Sequence, residues 1–564
     1  MRNLSDKPFS LSQIEIKLVN KNLSEMTLEE KISQLFFLIL YSDEQKIIDK
    51  LAGFKPGGIM LRPMPMAQAI NTVKSLQNQS KIPLLLAANL EKGGSGALTE
   101  GTLFSSPMGI AATKDASYAK ILGEICAKEG KAVGLNYAFA PVLDIDFNFR
   151  NPITNTRTFG SDVERIKTMG REYVKAVQRL GLATSLKHFP GDGVDERDQH
   201  LVTTSNDLSL DEWYETYGQI YKECIAQGAY SVMVGHIMLP AYERKCNPAI
   251  LDEEILPACL SKNIITKLLK EELSFNGLVI TDSTTMTGFA SAMSRDKAVP
   301  MCIAAGCDMF LFSRNLEEDF EFMKKGIENE IITIERLNDA VSKILALKCK
   351  LGLFNMDFNS ITYENAKNIV GCEEHQKLAR ECAAKAITLV KCEKDIIPIN
   401  KQKIKKILFY GIEPNDGGVY GARTDASIGF VKMLEEEDFD VDVYTPNMGL
   451  EGSMSKYMDV TRKYDLIIYL ATLATKSNQT VVRIEWGQPM GANAPIYSHT
   501  IPTIFISTEN PYHLIDVPMV KTYINAYTSS DVVLKEIINK LMGRSEFYGE
   551  NPVDPFCNRW DAKR

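Results

Sequence analysis

Short apolar runs alternate with longer amphipathic stretches along the first 315 residues of the chain. The runs have the length of buried strands, and they are Leu35–Leu40, Gly57–Leu61, Pro83–Ala88, Ala138–Leu143, Ala183–Leu186, Ser231–Val234, Gly277–Ile280 and Asp308–Phe312. Between them, segments such as Tyr118–Val133 and Asp162–Leu180 carry apolar residues three or four positions apart, the spacing of a helix face. Eight buried strands that alternate with helices predict a (β/α)8 barrel of the TIM type.

A second α/β pattern follows the barrel. The amphipathic segment Arg336–Leu353 closes the first region, and the polar stretch Phe354–Asn368 is typical of a linker. Strand-like runs then recur at Ala386–Val390, Lys406–Tyr410, Val441–Tyr444, Leu466–Leu470 and Thr503–Ile506, with helical segments at Glu373–Lys385, Ile428–Glu436 and Asp531–Leu541. The sequence therefore predicts an α/β protein with a catalytic barrel over residues 1–354, a linker over 355–372 and a smaller α/β sandwich over 373–564.

Composition and charge exclude several classes of function. The net charge of −8 argues against a nucleic-acid partner, which needs a basic face. The 11 cysteines are scattered, and no C-x-x-C pair suggests a metal site or a disulfide framework. The N-terminus is polar, and no apolar run is long enough to cross a membrane. We therefore expect a cytoplasmic protein with no membrane partner, no metal and no other cofactor.

Polar side chains follow the apolar runs at the ends where the predicted strands stop. They are Asn89, Glu91, Asp144, Lys187, His188, His236 and Asp282. In a (β/α)8 barrel the carboxyl ends of the strands and the loops after them form the active site. We therefore expect these groups to meet at one face of the barrel.

The densest group lies in the segment KHFPGDGVDERDQH, from Lys187 to His200. Its prolines and glycines fix a tight turn, and the charged residues after them form either a solvated flap or a catalytic arm. Asp198 lies two residues before His200. A carboxylate at this spacing can accept the imidazole N–H and fix its tautomer, which suits a general acid/base near neutral pH.

Asp282 follows the apolar run GLVI and opens the hydroxyl-rich turn TDSTTMTG. One interpretation is a helix N-cap or an Asx turn. The other is an ionised carboxylate that attacks an anomeric carbon. Asn89 and Arg157 are further polar candidates, and loop hydrogen bonding explains them equally well.

Together these segments resemble glycoside hydrolase family 3, in particular its NagZ-like β-N-acetylglucosaminidase branch. The resemblance covers nearly the whole predicted barrel, and the KHFPG-x-G-x4-D-x-H pattern is specific to this branch. It is carried by MTLEEKISQLF (26–36), FAPVLDID (139–146), NPITNTRTFGSD (151–162), KHFPGDGVDERDQH (187–200), MVGHIMLP (233–240), NGLVITDSTTM (276–286) and AAGCDMFLF (304–312).

The resemblance implies a role for each matching residue. It implies that Asp282 is the nucleophile, that His200 is the acid/base and that Asp198 orients His200, the last two on a mobile loop. It further implies that the sugar is held by Lys187, His188, Arg157 and Asn89, with His236 close to the same site.

The chain departs from the family pattern at several positions. Asn89 stands where the branch usually has an aspartate that grips sugar hydroxyls, and Lys92 is inserted before the glycines. Asp192 replaces a basic residue and Gln199 replaces a small hydroxyl residue. The resemblance therefore supports the chemistry but does not fix the sugar.

The resulting hypothesis is a retaining exo-β-glycosidase that removes terminal β-N-acetylhexosamine, such as N-acetylglucosamine, from an oligosaccharide or glycoside by double displacement. Three alternatives remain open: a β-glucosidase of the same family, a β-glycoside phosphorylase that uses phosphate instead of water, and a sugar-binding protein without activity. The oligomeric state is not predicted.

Overall fold

Eight parallel strands form the first sheet of the computed structural model, which describes residues 4–393, 395–414, 425–445, 457–488 and 491–564. The strands are β1 Phe36–Leu40, β2 Gly58–Leu61, β3 Leu85–Ala88, β4 Tyr137–Ala138, β5 Ala183–Phe189, β6 Ser231–Val234, β7 Leu278–Thr281 and β8 Phe310–Leu311. They pair in the order β8-β1-β2-β3-β4-β5-β6-β7, and a parallel bridge between Ile280 and Met309 joins the two ends. The predicted (β/α)8 barrel is confirmed.

Helices connect these strands along the chain. The longer ones are Gln13–Glu25, Leu28–Gln34, Gln45–Gly53, Met66–Asn78, Ser117–Ala132, Val163–Arg179, Gln219–Ala226, Pro240–Cys246, Asn263–Glu272, Arg295–Ala305, Leu316–Glu328 and Ile334–Lys350. Val163–Arg179 shows why they form, because its buried residues Ile166, Met169, Tyr173 and Val177 recur every three or four positions. One face of the helix is therefore apolar and packs inward.

The fourth strand is shorter than the sequence suggests. We predicted a strand over Ala138–Leu143, whereas β4 ends at Ala138. Pro141 has no N–H to donate to a neighbouring strand, so the regular ladder stops before it. The buried chain after β4 still pairs locally, since Leu143 N donates to Lys187 O at 2.7 Å. This places Asp144 beside the end of β5.

A second, six-stranded sheet lies in the C-terminal part of the chain. Its strands are β9 Thr388–Lys391, β10 Lys406–Ile412, β11 Asp440–Val443, β12 Leu466–Ala471, β13 Thr503–Ser507 and β14 Thr522–Asn525, in the order β9-β14-β13-β12-β10-β11. All pairs are parallel except β9 with β14. The helices Asp425–Glu436 and Asp531–Leu541 share an apolar core with it. The predicted smaller α/β domain is confirmed as a fold class.

Strand β14 was not predicted from the sequence. It has only two apolar residues, Tyr523 and Ile524, between the polar residues Thr522 and Asn525. Both polar side chains are buried with partners: Thr522 Oγ1 accepts from Glu393 N at 3.0 Å, and Asn525 Nδ2 donates to Pro511 O at 3.1 Å. These contacts allow the polar side chains to lie inside the sheet, and a hydrophobic pattern cannot reveal them.

The chain divides into two compact units that are not contiguous in sequence. The first contains Met1–Phe104, Ala116–Thr154 and Val163–Gln376, and the second contains Ser105–Asp115, Asn155–Asp162 and Lys377–Arg564. The domain limits predicted at residues 354 and 372 stay a prediction. Among the described residues, no helix has both the length and the apolar character needed to cross a membrane.

Helix Ile334–Lys350 carries a buried lysine that provides a stability prediction. Lys348 is fully buried, its Nζ donates to Gln34 Oε1 at 2.7 Å, and burial lowers the pKa of Lys348 to about 7. The unfolded chain then binds more protons than the folded chain between about pH 7 and 10, so the ammonium destabilises the fold at pH 7 and this cost falls as pH rises. We expect Lys348→Met to raise the free energy of unfolding by about 1–4 kcal/mol at pH 7 and by less near pH 10. Urea unfolding at both pH values measures it.

Lys350→Met is the matched control, because it removes the same charge from the same helix at a partly exposed position. We expect no gain in stability from it at either pH. An equal gain for Lys348→Met at pH 7 and pH 10 would contradict the assigned cause.

Candidate active site

The barrel brings the polar strand ends of the first unit to one face. Lys187 and His188 lie within the last residues of β5, Glu91 follows β3, and Asp282 directly follows β7. Because all eight strands are parallel, their carboxyl ends point to the same end of the barrel. The resulting cluster lies at the end of the barrel where (β/α)8 enzymes carry their active sites.

Asp282 presents a carboxylate oxygen with no hydrogen-bond donor among the described residues. Its Oδ1 accepts from Ser283 N at 2.6 Å, whereas its Oδ2 is buried and unpartnered. Burial alone would raise the pKa of Asp282, but the electrostatic interaction with the imidazoles of His188, His236 and His200, together with the hydrogen bond from Ser283 N, outweighs burial and lowers this pKa. Asp282 is therefore ionised at neutral pH. An ionised oxygen held in place without a partner has the properties of a nucleophile.

His188 lies beside that oxygen. Its Nε2 is 3.8 Å from Asp282 Oδ2, and its Nδ1 donates to Asp144 Oδ2 at 2.6 Å. Asp144 Oδ1 also accepts from the backbone N of His188 at 3.0 Å. The buried Asp144 thus fixes the ring of His188 at both its side chain and its backbone, which aims Nε2 at the site.

Lys187, the residue before His188, forms a buried ion pair. Its Nζ is 2.7 Å from Glu91 Oε1, and the two side chains are 4% and 11% exposed. An ammonium has three N–H donors, so the pair with Glu91 leaves donors of Lys187 that can bind a sugar hydroxyl. This pair connects the loop after β3 to the carboxyl end of β5.

Asp198 and His200 form a pair on the loop after β5. His200 Nδ1 donates to Asp198 Oδ1 at 2.7 Å, and the backbone N of His200 donates to the same oxygen at 2.8 Å. Asp198 is buried, whereas the His200 side chain is 24% exposed. With the proton fixed on Nδ1, Nε2 is the atom that can exchange a proton with a ligand.

His236 follows β6 and is fully buried, with both ring nitrogens bound to protein atoms. Nε2 donates to Ser283 O at 2.8 Å, and Nδ1 accepts from the Cys259 thiol at 3.2 Å. Burial lowers the pKa of His236, so the ring is neutral. Its geometry holds the peptide that follows Asp282 and leaves no ring nitrogen for a sugar.

Asn89 and Arg157 complete the set of residues singled out from the sequence. Asn89 follows β3 directly and is exposed. Arg157 ends the short 3-10 helix Asn155–Arg157, which belongs to the second unit. The first unit therefore brings together Lys187, His188, His236, Asp282 and the Asp198–His200 pair with their partners.

Sequence reasoning did not assign a supporting role to three buried residues of this cluster. Asn151, Asp192 and Gln199 are buried, and the side-chain amides of Asn151 and Gln199 both donate to the carboxylate of Asp192. Their signals in the sequence were their positions inside two motif segments and, for Asp192 and Gln199, the departure from the family pattern. No cluster of three or more potential metal ligands occurs in the part of the chain that the structure describes.

Comparison with known proteins identifies the family. The family described as Glycosyl hydrolase family 3 N terminal domain matches residues 27–347. The chain belongs to glycosyl hydrolase family 3. As a member of this family it is a glycosidase, and the predicted class, a retaining enzyme of family 3, is confirmed.

Several relatives of this family 3 enzyme match over long stretches. It is 48% identical to "Beta-N-acetylglucosaminidase/beta-glucosidase" of Cellulomonas fimi over the full length of both chains. It is 43% identical to the solved structure of "Beta-glucoside phosphorylase BglX", with a TM-score of 0.93 and 99% of each chain covered. A β-N-acetylglucosaminidase of the same family from Paenibacillus sp. str. FPU-7 shares the fold, with a TM-score of 0.78 at 22% identity, over 94% of this chain and 99% of that one.

Proposed function

We propose that this protein is a retaining exo-β-glycosidase that acts on β-N-acetylglucosaminides and β-glucosides, with Asp282 as the nucleophile and His200 as the acid/base. The observation that carries the proposal is the unpartnered, ionised Oδ2 of Asp282 in the same barrel as the Asp198–His200 pair. A nucleophile and an acid/base are the two groups that double displacement at an anomeric carbon needs.

In the first step, Asp282 Oδ2 attacks C1 of the terminal sugar as the bond from C1 to the leaving oxygen breaks. His200 Nε2–H gives its proton to that oxygen, which leaves as an alcohol. The carboxylate of Asp198 on Nδ1 stabilises the imidazolium before the transfer and keeps the ring oriented after it. The product is a glycosyl ester on Asp282.

In the second step, an acceptor attacks C1 from the face that the leaving group vacated, and the bond to Asp282 breaks. When the acceptor is water, a base must remove its proton, and the neutral Nε2 of His200 accepts it. Two inversions at C1 leave the β configuration unchanged. Lys187, His188, Arg157 and Asn89 are proposed to bind the sugar, while His236 positions the peptide after Asp282 through Ser283 O.

Phosphate is a second candidate acceptor, and two observations favour it. The acid/base is an imidazole, which is neutral after the first step and does not repel an anion as a second carboxylate would. In addition, "Beta-glucoside phosphorylase BglX" matches over 99% of the chain at 43% identity. The oxyanion of phosphate would form the bond to C1 without giving up a proton, and the product would be a sugar 1-phosphate.

One screen tests the sugar and the acceptor together. Nitrophenyl β-glycosides of N-acetylglucosamine, glucose and N-acetylgalactosamine are compared with and without inorganic phosphate. We expect turnover of the first two sugars and the appearance of sugar 1-phosphate when phosphate is present. Free sugar as the sole product at every phosphate concentration would restrict the enzyme to hydrolysis. A third sugar as the best substrate would contradict the proposed specificity.

We also propose a role in carbohydrate metabolism inside the cytoplasm. The scattered pattern of the 11 cysteines supports a reducing compartment, as does the burial of most of them. Burial raises the pKa of Cys126 and Cys224 to about 12, which keeps these thiols protonated and unreactive. Cell fractionation with an antibody against the chain tests this location.

A further inference from the structure

A buried carboxylate lies at the base of the arm that carries Asp198 and His200. Asp192 is 2% exposed and accepts three hydrogen bonds. Its Oδ1 accepts from Asn151 Nδ2 at 2.8 Å and from Gly193 N at 2.7 Å, and its Oδ2 accepts from Gln199 Nε2 at 3.2 Å. Each of these donors is neutral, so the buried charge of Asp192 is held by amides alone.

The orientation of both side-chain amides is determined by their other partners. Asn151 Oδ1 accepts from the backbone N of Ile153 at 2.7 Å and of Thr154 at 3.0 Å, which leaves its Nδ2 to donate to Asp192. Gln199 Oε1 accepts from the backbone N of His236 at 2.9 Å, which leaves its Nε2 to donate. Asp192 therefore acts as an acceptor at both oxygens, a role that suits the ionised form, which has acceptors only.

This ionised form is costly to maintain. Burial and the neighbouring Asp144 carboxylate raise the pKa of Asp192 to about 7, against the opposing effects of His188 and of the hydrogen bonds from Gly193 and Asn151. An apolar or amide side chain would avoid the cost of burying this charge. The charge is therefore expected to serve the geometry of the arm, since it makes the fold itself less stable.

Asp192 also connects the two histidines of the site. Its backbone N donates to Asp144 Oδ1 at 2.8 Å, and Asp144 holds the ring of His188. Through Gln199 it reaches the residue directly between Asp198 and His200. The far side of the arm is fixed as well, because Thr287 N donates to His200 O at 2.9 Å. The arm is thus anchored at both ends in this structure.

We propose that Asp192 is a positioning residue that sets the approach of His200 to the leaving oxygen through Gln199. The inference rests on the proposed role of His200 as acid/base. A misplaced general acid lowers the rate strongly for substrates whose leaving group needs a proton and little for substrates whose leaving group departs without one. The dependence of the rate on the leaving group therefore separates a positioning role from a purely structural one.

The test uses Asp192→Asn in the full-length enzyme with two aryl β-glucosides. An asparagine places an N–H2 against the N–H2 of Gln199, so the hydrogen-bond circuit breaks. We expect kcat/KM to fall on the order of 10-fold to 100-fold for the phenyl glucoside, whose leaving group needs the acid, and less than about 3-fold for the dinitrophenyl glucoside, whose leaving group does not. Retained activity on the second substrate also shows that the variant is folded.

A double variant provides the rescue. In Asp192→Asn with Gln199→Glu, the new amide donates to the new carboxylate, which still accepts from His236 N, so every donor regains an acceptor at the same net charge. We expect the ratio of the two kcat/KM values to return to within about 3-fold of the wild-type ratio, since the geometry of the arm is restored. Glu196→Gln is the matched control, because it neutralises an exposed carboxylate on the same arm, and it should change neither rate.

Two outcomes overturn the inference. Equal losses on both substrates for Asp192→Asn would show a structural role alone, and so would a double variant that fails to restore the ratio. His200→Ala separates this inference from the proposed function. A selective loss on the phenyl glucoside for His200→Ala but not for Asp192→Asn overturns only the role of Asp192. No selective loss for His200→Ala overturns both.

Discussion

Replacing Asp282 with alanine is expected to lower kcat/KM for aryl β-glycosides by about four to six orders of magnitude, the scale on which loss of a catalytic nucleophile acts. The unpartnered Oδ2 of Asp282 is the atom that would form the bond to C1, and among the buried side chains that the structure describes it is the one carboxylate oxygen without a hydrogen-bond partner. Added azide should restore turnover by occupying the space of the missing carboxylate. Because azide then attacks the face opposite the leaving group once, the product should be an α-glycosyl azide.

Nuclear magnetic resonance of the product identifies the anomer. Asp296→Ala, which removes an exposed carboxylate in the first turn of the helix Arg295–Ala305, serves as the control and should keep full activity. Activity within about 10-fold of wild type for Asp282→Ala would rule out Asp282 as the nucleophile, because loss of the covalent step lowers activity by much more than 10-fold.

Replacing His200 with alanine should lower kcat/KM by about two to four orders of magnitude for substrates with poor leaving groups, the usual contribution of general acid catalysis. The covalent step at Asp282 remains, so substrates with good leaving groups should still form the glycosyl ester and then stall without a base. Azide needs no base and should release the sugar as a β-glycosyl azide. The two variants are thus expected to give opposite anomers with the same reagent.

The exposed His499 supplies the control, because His499→Ala removes the same side chain from the second unit. It should behave as wild type with every substrate. An α-glycosyl azide from His200→Ala, or an equal loss of rate on good and poor leaving groups, would remove His200 from the role of acid/base.

The sequence predicted the barrel well because burial and chain period determine it. The run Ser231–Val234 was placed at its exact limits, and β1, β2 and β7 were each within one residue. Strand β5 was predicted to end at Leu186 but continues to Phe189, through the polar residues Lys187 and His188. Their burial depends on Glu91 and Asp144, which come from other loops, and a local pattern cannot show that such partners exist.

The same limit applies to the candidate site. Asp282, Asp198 and His200 could be singled out because the signal of each is local: a carboxylate after a strand, and an aspartate two residues before a histidine. The support from Asn151 and Gln199 could not, because it joins residues 41 and 7 positions from Asp192 with a fixed direction of donation. His236 was predicted to lie near the sugar, and its two protein partners became visible only in three dimensions.

The interleaved composition of the second unit has a consequence for synthesis of the chain. Ser106 N donates to Thr528 Oγ1 at 3.1 Å and Asn155 Nδ2 to Asn510 Oδ1 at 3.2 Å, contacts that span 422 and 355 residues. Ribosomes add about 5–20 residues per second. The partners are therefore synthesised on the order of tens of seconds after the two early segments, Ser105–Asp115 and Asn155–Asp162. During synthesis, the two segments therefore lack these hydrogen-bond partners while the rest of the chain is made. A chain cut after Gln376 would never acquire them.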